Sequence, residues 1–288
     1  MSAISGNILL VSSHVVRGSV GNRVMGFALE RLDFTVWEAP TVILPHHPGQ
    51  GETERIVPPE EAFATLLTNI SGTPDAILSG YLGTSAQAEH VAALVRRVKT
   101  DNPDCLYLCD PVIGDHGNLY VTERIAATIR DELMPLADIA TPNAFECAWL
   151  AGEEGDWRQA DLVAAALKLI PQIVVVTSNP GLMRNHIGNL LVGPDTILMA
   201  EHPAIESKAK GTGDLFSALY LGRILEGREP RKALEMAAAS TFQMIAAAAK
   251  QQLDDLPVAQ FQHAIAQPNA MVNLRQMAPK LSAKPRPL

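Results

Sequence analysis

Cysteine is scarce in this chain, and so are aromatic residues and long apolar runs. Three cysteines (Cys105, Cys109, Cys147) in 288 residues cannot build a disulfide framework without a leftover thiol. Cys105 and Cys109 flank an apolar run, so we read them as reduced and core-facing, and the cytoplasm as the compartment. Basic residues do not dominate: 23 Lys and Arg face 31 Asp and Glu, for a net charge of −8. That balance, with no basic stripe, argues against nucleic acid as a partner. No apolar run is long enough to cross a bilayer, and Ile8–Val11 is too short and lacks the basic flank of a signal peptide. Neither GxGxxG nor GxxxxGK[ST] occurs, which weakens a nicotinamide oxidoreductase and excludes a Walker-type phosphate loop.

What remains is an ordinary globular composition, 47% hydrophobic and 19% charged, long enough for a large core. Near-continuous apolar runs at Ile8–Ser12, Val36–Leu44, Ala76–Ser79, Leu106–Asp110, Ile139–Thr141 and Ile173–Thr177 predict parallel strands covered on both faces. Helical patterns alternate with them at Arg23–Leu32, Ser85–Lys99, Glu123–Leu133 and Gln159–Leu169. The alternation predicts a doubly wound α/β sheet, which binds ligands beyond the carboxyl ends of its strands. Gly193-Pro194-Asp195 predicts a hairpin turn between Asn189–Val192 and Ile197–Ala200. Two late helices follow, from Asp214 to about Leu225 and over Arg231–Lys250, with Gly227 and Pro230 between them. One domain is expected over residues 1–277, and a disordered proline-rich tail over 278–288.

The most informative stretch is Lys210-Gly211-Thr212-Gly213-Asp214, set directly against an apolar helix. Glycines allow close backbone approach, and the unpaired amides of a helix start form an anion site suited to phosphate. A carboxylate at the rim can take a proton from an alcohol while those amides hold a migrating phosphoryl group. The same residues equally serve a plain turn with Asp214 as its N-cap. Other polar groups fall at predicted strand ends. Asp110 and Asp115 suit Mg²⁺ or a solvated turn, and Glu146 suits a ligand site or a helix start with Pro142 in its first position. Ser12, Ser13 and His14 suit ligand binding or capping. His46-His47 lacks a third partner for zinc.

Gly-Thr-Gly-Asp opening a late helix resembles the ribokinase-like superfamily, and the ordered set resembles the pyridoxal kinases. That set is Ser13–Gly18 with Val20–Arg23, Ser79–Gly83, Asp110–Asp115, Leu119–Val121, Pro135–Ile139 with Thr141–Asn143, Phe145-Glu146 and Val176–Ser178. The resemblance implies a central, mostly parallel sheet with helices on both faces and no large lid domain. It also implies ATP-dependent phosphorylation of the 5′-hydroxymethyl group of pyridoxal and related B6 vitamers, in a homodimer. Asp214 would be the base, and Gly211, Thr212 and Gly213 the anion hole. Ser13, Val20, Val42, Pro48 and Tyr81 would meet the substrate. Asp110, Tyr120, Thr141, Glu146, Thr177 and Ser178 would lie at ATP. Asp115 and Glu146 would organise Mg²⁺, and Asp110, Thr141 and Thr177 a monovalent cation such as K⁺. Two departures stand out. Pro45-His46-His47-Pro48-Gly49 replaces the family's Ser-Asn-His-Thr-Gly, so Pro48 stands where a threonine often meets the substrate. Lys208 and Lys210 are unusual beside the anion hole. Pyrimidine kinases of this superfamily often carry cysteine where Asp214 stands, which counts against a hydroxymethylpyrimidine as substrate; a vitamer carrier would show a damaged anion hole, and a sugar kinase a longer lid than Trp37–Arg55 allows.

Overall fold

The computed structural model describes residues 6–153 and 159–277; the tail expected over 278–288 lies outside them. Nine strands form one sheet in the order β11-β10-β9-β8-β7-β4-β3-β1-β2. Six of them run parallel: β1 (Asn7–Val15), β2 (Thr35–Leu44), β3 (Ala76–Ser79), β4 (Leu106–Cys109), β7 (Ile139–Ala140) and β8 (Ile173–Pro180). Antiparallel strands β9 (His186–Val192), β10 (Ile197–Pro203) and β11 (Asn273–Gln276) extend one edge. The predicted hairpin at Gly193-Pro194-Asp195 joins β9 to β10. A separate ribbon of two two-residue strands, β5 (Gly114–Asp115) and β6 (Asn118–Leu119), stands off the sheet.

The apolar runs are continuous because successive residues feed different cores. Ile8 and Leu10 enter one, with α1 (Asn22–Glu30), α7 (Thr212–Leu225) and α8 (Pro230–Lys250). Leu9 and Val11 enter the other, with α2 (Glu60–Thr68), α3 (Ser85–Asp101), α4 (Glu123–Thr128), α5 (Ala144–Leu150) and α6 (Gln159–Lys168). Ala76 and Leu78 against Ile77, and Leu108 against Tyr107 and Cys109, repeat that alternation. The three cysteines are free and buried, as expected for Cys105 and Cys109. The short α9 (Gln262–Ala266) is tied to the end of α7 by Arg223, whose Nη2 donates to the carbonyls of Ile265 and Ala266.

Helix α7 is apolar nearly all round, and Leu215 to Arg223 are all buried. A Cβ on its Gly222 would lie 2.9 Å from Leu32 and 3.1 Å from Leu29, so glycine lets α7 lie close to α1. The chain passes from β1 to β2 on one side of β1, and then to β3 on the other. That reversal opens a switch point at the carboxyl ends of β1 and β3, where such sheets take ligands. Among the described residues no helix is long and apolar enough to cross a membrane.

Candidate active site

The polar residues singled out from sequence gather along this carboxyl edge, at the ends of β1, β3, β4, β7 and β8 and the start of α7. Gly211 precedes α7 in the left-handed region (φ 93°), and the helix begins at Thr212. Asp214 is therefore in the first turn and is not the cap: the helix starts three residues earlier than an Asp214 cap requires. Gly213 is exposed, and a Cβ there would meet nothing within 4 Å. The turn thus presents an open surface at Gly213.

Asp214 is half-buried and accepts a hydrogen bond from the backbone of Gly21. Burial raises its pKa above the usual carboxylate range, and the Gly21 bond opposes that rise. The helix N-terminus alone predicts the opposite direction; here desolvation outweighs it. A higher proton affinity suits a base better than a strongly depressed one. Ser13 lies beside the same glycine: a Cβ on Gly21 would be 2.5 Å from Ser13 Oγ. Ser13 and Asp214 are so brought together by one loop, Gly18–Gly21. A cavity of about 770 Å³ opens behind that loop, lined by Gly18 and Ser19, by α1 and by residues 252–260; Ser13 and Asp214 do not line it.

Val20, Val42 and Tyr81 share a small apolar cluster with Val15, Leu44 and Val57. Val42 is fully buried and backs this wall, whereas Tyr81 is partly open. The backbone of Tyr81 is held on both sides. Its N–H donates to Ser12 Oγ at 3.1 Å, and its carbonyl accepts from Thr41 Oγ1 at 2.6 Å. Its hydroxyl accepts from Arg55 at 2.9 Å. Thr41 and Arg55 were not read from the sequence as site residues; Ser12 was read as a ligand-binding or capping hydroxyl, and here it holds the Tyr81 backbone. Pro48 opens a short 3₁₀ turn, Pro48–Gln50, in which Gly49 N–H donates to His47 Nδ1 at 2.9 Å. Burial, then Lys210, lowers the pKa of His47. The loop is anchored by Gln50, which donates to Asp255 at 3.0 Å.

The acidic residues divide by environment. Glu146 is buried in a capping box: its Oε2 accepts from Asn143 N–H at 2.8 Å, and its own N–H donates to Asn143 Oδ1 at 2.9 Å. Its Oε1 accepts from Ile113 and Gly114, at 2.8 and 3.3 Å, so it also ties down the loop after β4. Burial pushes its pKa up to about 7 despite those amides. The expectation of Pro142 in the first helical position is corrected here. Asn143 is the cap and Ala144 starts α5, a signal legible as Asn-x-x-Glu. Asp110 is also buried, and its pKa is raised well above the usual range by burial and then by the charges of Glu146 and Asp214. Its partner is Ser217 on α7, which donates to Asp110 Oδ2 at 2.9 Å and meets Thr141 Oγ1 at 2.8 Å. Ser217 also went unread, although it follows Asp214 by three residues and so shares its helix face.

Asp115 is held locally by His116. Tyr120 is exposed. Thr177 is buried and its N–H donates to the carbonyl of Pro142 at 2.8 Å. Ser178 is exposed with φ 53° at an irregularity of β8. Among the described residues no three His, Cys, Asp or Glu side chains converge to hold a metal by themselves. An all-oxygen set of one or two carboxylates nevertheless fits Mg²⁺ that arrives with nucleotide phosphates.

Residues 38–259 match the family model described as phosphomethylpyrimidine kinase. The chain is 33% identical over 282 residues to the pyridoxal kinase PdxY of Corynebacterium diphtheriae, covering 94% of this chain and all of that one. It is 32% identical over 286 residues to the pyridoxal kinase PdxY of Rubrobacter xylanophilus, covering 94% and 98%. The pyridoxal kinase of Leishmania donovani, solved with ADP and pyridoxamine, superposes with a TM-score of 0.85 at 26% identity, over 95% of this chain and all of that one. With its ribokinase-like sheet and a Gly-Thr-Gly-Asp turn at the strand ends, the chain belongs to the phosphomethylpyrimidine kinase family and, within it, to the pyridoxal kinases.

Proposed function

We infer that this chain transfers the γ-phosphoryl group of ATP to the 5′-hydroxymethyl group of pyridoxal and related B6 vitamers, forming pyridoxal 5′-phosphate. The observation that carries this reading is Asp214 in the first turn of α7, one residue past the open Gly213, with Ser13 on the adjoining loop.

In this reading Asp214 accepts the proton of the substrate hydroxyl, and the backbone of Gly211, Thr212 and Gly213 holds the phosphoryl oxygens. Ser13 hydrogen-bonds the pyridine ring. Val20 and Tyr81, backed by Val42, form its apolar wall, and Pro48 borders it. Tyr120 and Ser178 lie at the nucleotide. Mg²⁺, when bound with ATP, offsets charge on the phosphates. Asp115 and Glu146 are its carboxylates; Glu146 already shares its oxygens with three amides and so acts through water. Asp110, Thr141 and Thr177 supply oxygens for K⁺. The family's homodimer belongs to the same reading, and light scattering at working concentration tests it.

The deciding assay follows MgATP consumption with pyridoxal, pyridoxine, pyridoxamine and hydroxymethylpyrimidine. The expected result is the highest kcat/KM on a B6 vitamer. A clear preference for the pyrimidine, or no turnover on any of them, overturns the assignment.

A further inference from the structure

A line of three buried oxygens crosses from the sheet to the helix that carries Asp214. Thr141 Oγ1 lies 2.8 Å from Ser217 Oγ, which lies 2.9 Å from Asp110 Oδ2. Thr141, Ser217 and Asp110 are 2%, 0% and 6% exposed, so bulk water does not reorient them. A hydroxyl owns one hydrogen. Ser217 gives its own to the Asp110 carboxylate, so the hydrogen in the Thr141–Ser217 bond comes from Thr141. Both hydroxyl hydrogens then point along the line toward Asp110. Thr141 Oγ1 is left with lone pairs alone for any further neighbour. That is the orientation a cation requires and the one a free hydroxyl rotor does not hold.

We propose that Ser217 is a positioning residue: it sets the hydroxyl of Thr141 as a lone-pair donor and so completes an alkali-cation site formed with Asp110 at the strand ends. This rests on the assignment of K⁺ to Asp110, Thr141 and Thr177 made above. The all-oxygen donor set fits an alkali cation. Because Ser217 lies three residues after Asp214 on α7, the cation and the base share one rigid element.

The test uses the full chain with Ser217→Ala and Ser217→Thr. Melting temperature is measured without nucleotide in KCl and in choline chloride at equal ionic strength, and half-activating K⁺ is measured in the pyridoxal assay. The wild type is expected to melt higher in KCl. Ser217→Ala should need about 10- to 100-fold more K⁺ in both readouts, the range seen when the partner of a metal ligand is removed. Ser217→Thr, which keeps the hydroxyl, should restore the response. A merely structural role would lower melting equally in both salts. An unchanged K⁺ dependence in Ser217→Ala overturns the proposal, as does a wild type whose melting ignores K⁺. If the alanine variant does not fold, Ser217→Cys, close in size and a weak donor, is read in the same way. An enzyme that phosphorylates pyridoxal without responding to K⁺ refutes this inference alone; failure on every vitamer refutes the assigned function.

Discussion

A Cβ placed on Gly211 would lie 1.9 Å from the carbonyl oxygen of Ser19. The loops before α1 and before α7 meet there backbone to backbone, and Gly211 sits at φ 93°. Gly211→Ala is therefore expected to lower stability by about 1–3 kcal/mol and to lose turnover with it. Gly213 is the contrasting case, exposed with empty space around a built Cβ. Gly213→Ala should melt like the wild type while kcat/KM falls, because its methyl intrudes where phosphoryl oxygens approach. Melting curves beside steady-state rates check both. Equal stability in the two variants would refute the geometry.

Asp214→Ala should lower kcat by about two to four powers of ten, the range for a lost general base. KM should change little, since the group acts on the transition state rather than on ground-state binding. A variant that keeps more than about a tenth of the activity removes Asp214 from that role.

Glu146 gives the unliganded protein a pH signature. Burial takes its pKa from 4.5 to about 7, so between those values the folded chain keeps a proton that the unfolded chain has released. Its stabilising contribution is complete below about pH 4.5 and is lost as pH rises through about 7, on the order of 3 kcal/mol. Asp110 and Asp214, also raised, act in the same direction. Glu146→Gln should flatten this part of the slope, measured by urea unfolding at several pH values, whatever it does to stability at any single pH. A slope identical to the wild type would contradict the assignment.

Pro48→Thr tests the departure in the loop after β2. A hydroxyl at the first position of that short turn can hydrogen-bond the substrate, which proline cannot. The net gain of one such bond, about 0.5–1.5 kcal/mol, corresponds to roughly a 2- to 10-fold lower KM for pyridoxal with kcat nearly unchanged. An unaltered KM would mean that position 48 does not face the substrate.

The buried strands were legible because each had to be apolar on both faces: Ala76–Ser79 was read to the residue, and Ile8–Ser12 falls short of the ends of β1. Helix α7 announced itself through Gly211 and Asp214. Other elements were not visible. Helix α2 buries only Phe63 and Leu67, too few to make a period stand out. The β5–β6 ribbon is two residues on each side, and β11 pairs with β10 from far along the chain while mostly exposed. Ser217 and Thr41 stayed hidden for a different reason. Their partners lie 107 and 40 residues away, and local pattern carries no trace of such meetings.

Helix α7 is buried for nine consecutive residues, from Leu215 to Arg223, so Asp214, the proposed base, stands on a firmly packed element. Whatever must give way during a catalytic cycle has to be sought in the loops opposite: the His46–Gln50 turn and the Gly114–Leu119 ribbon. Substrate range can then drift through those loops over evolutionary time, while the phosphoryl-transfer chemistry, locked into the scaffold, stays as it was.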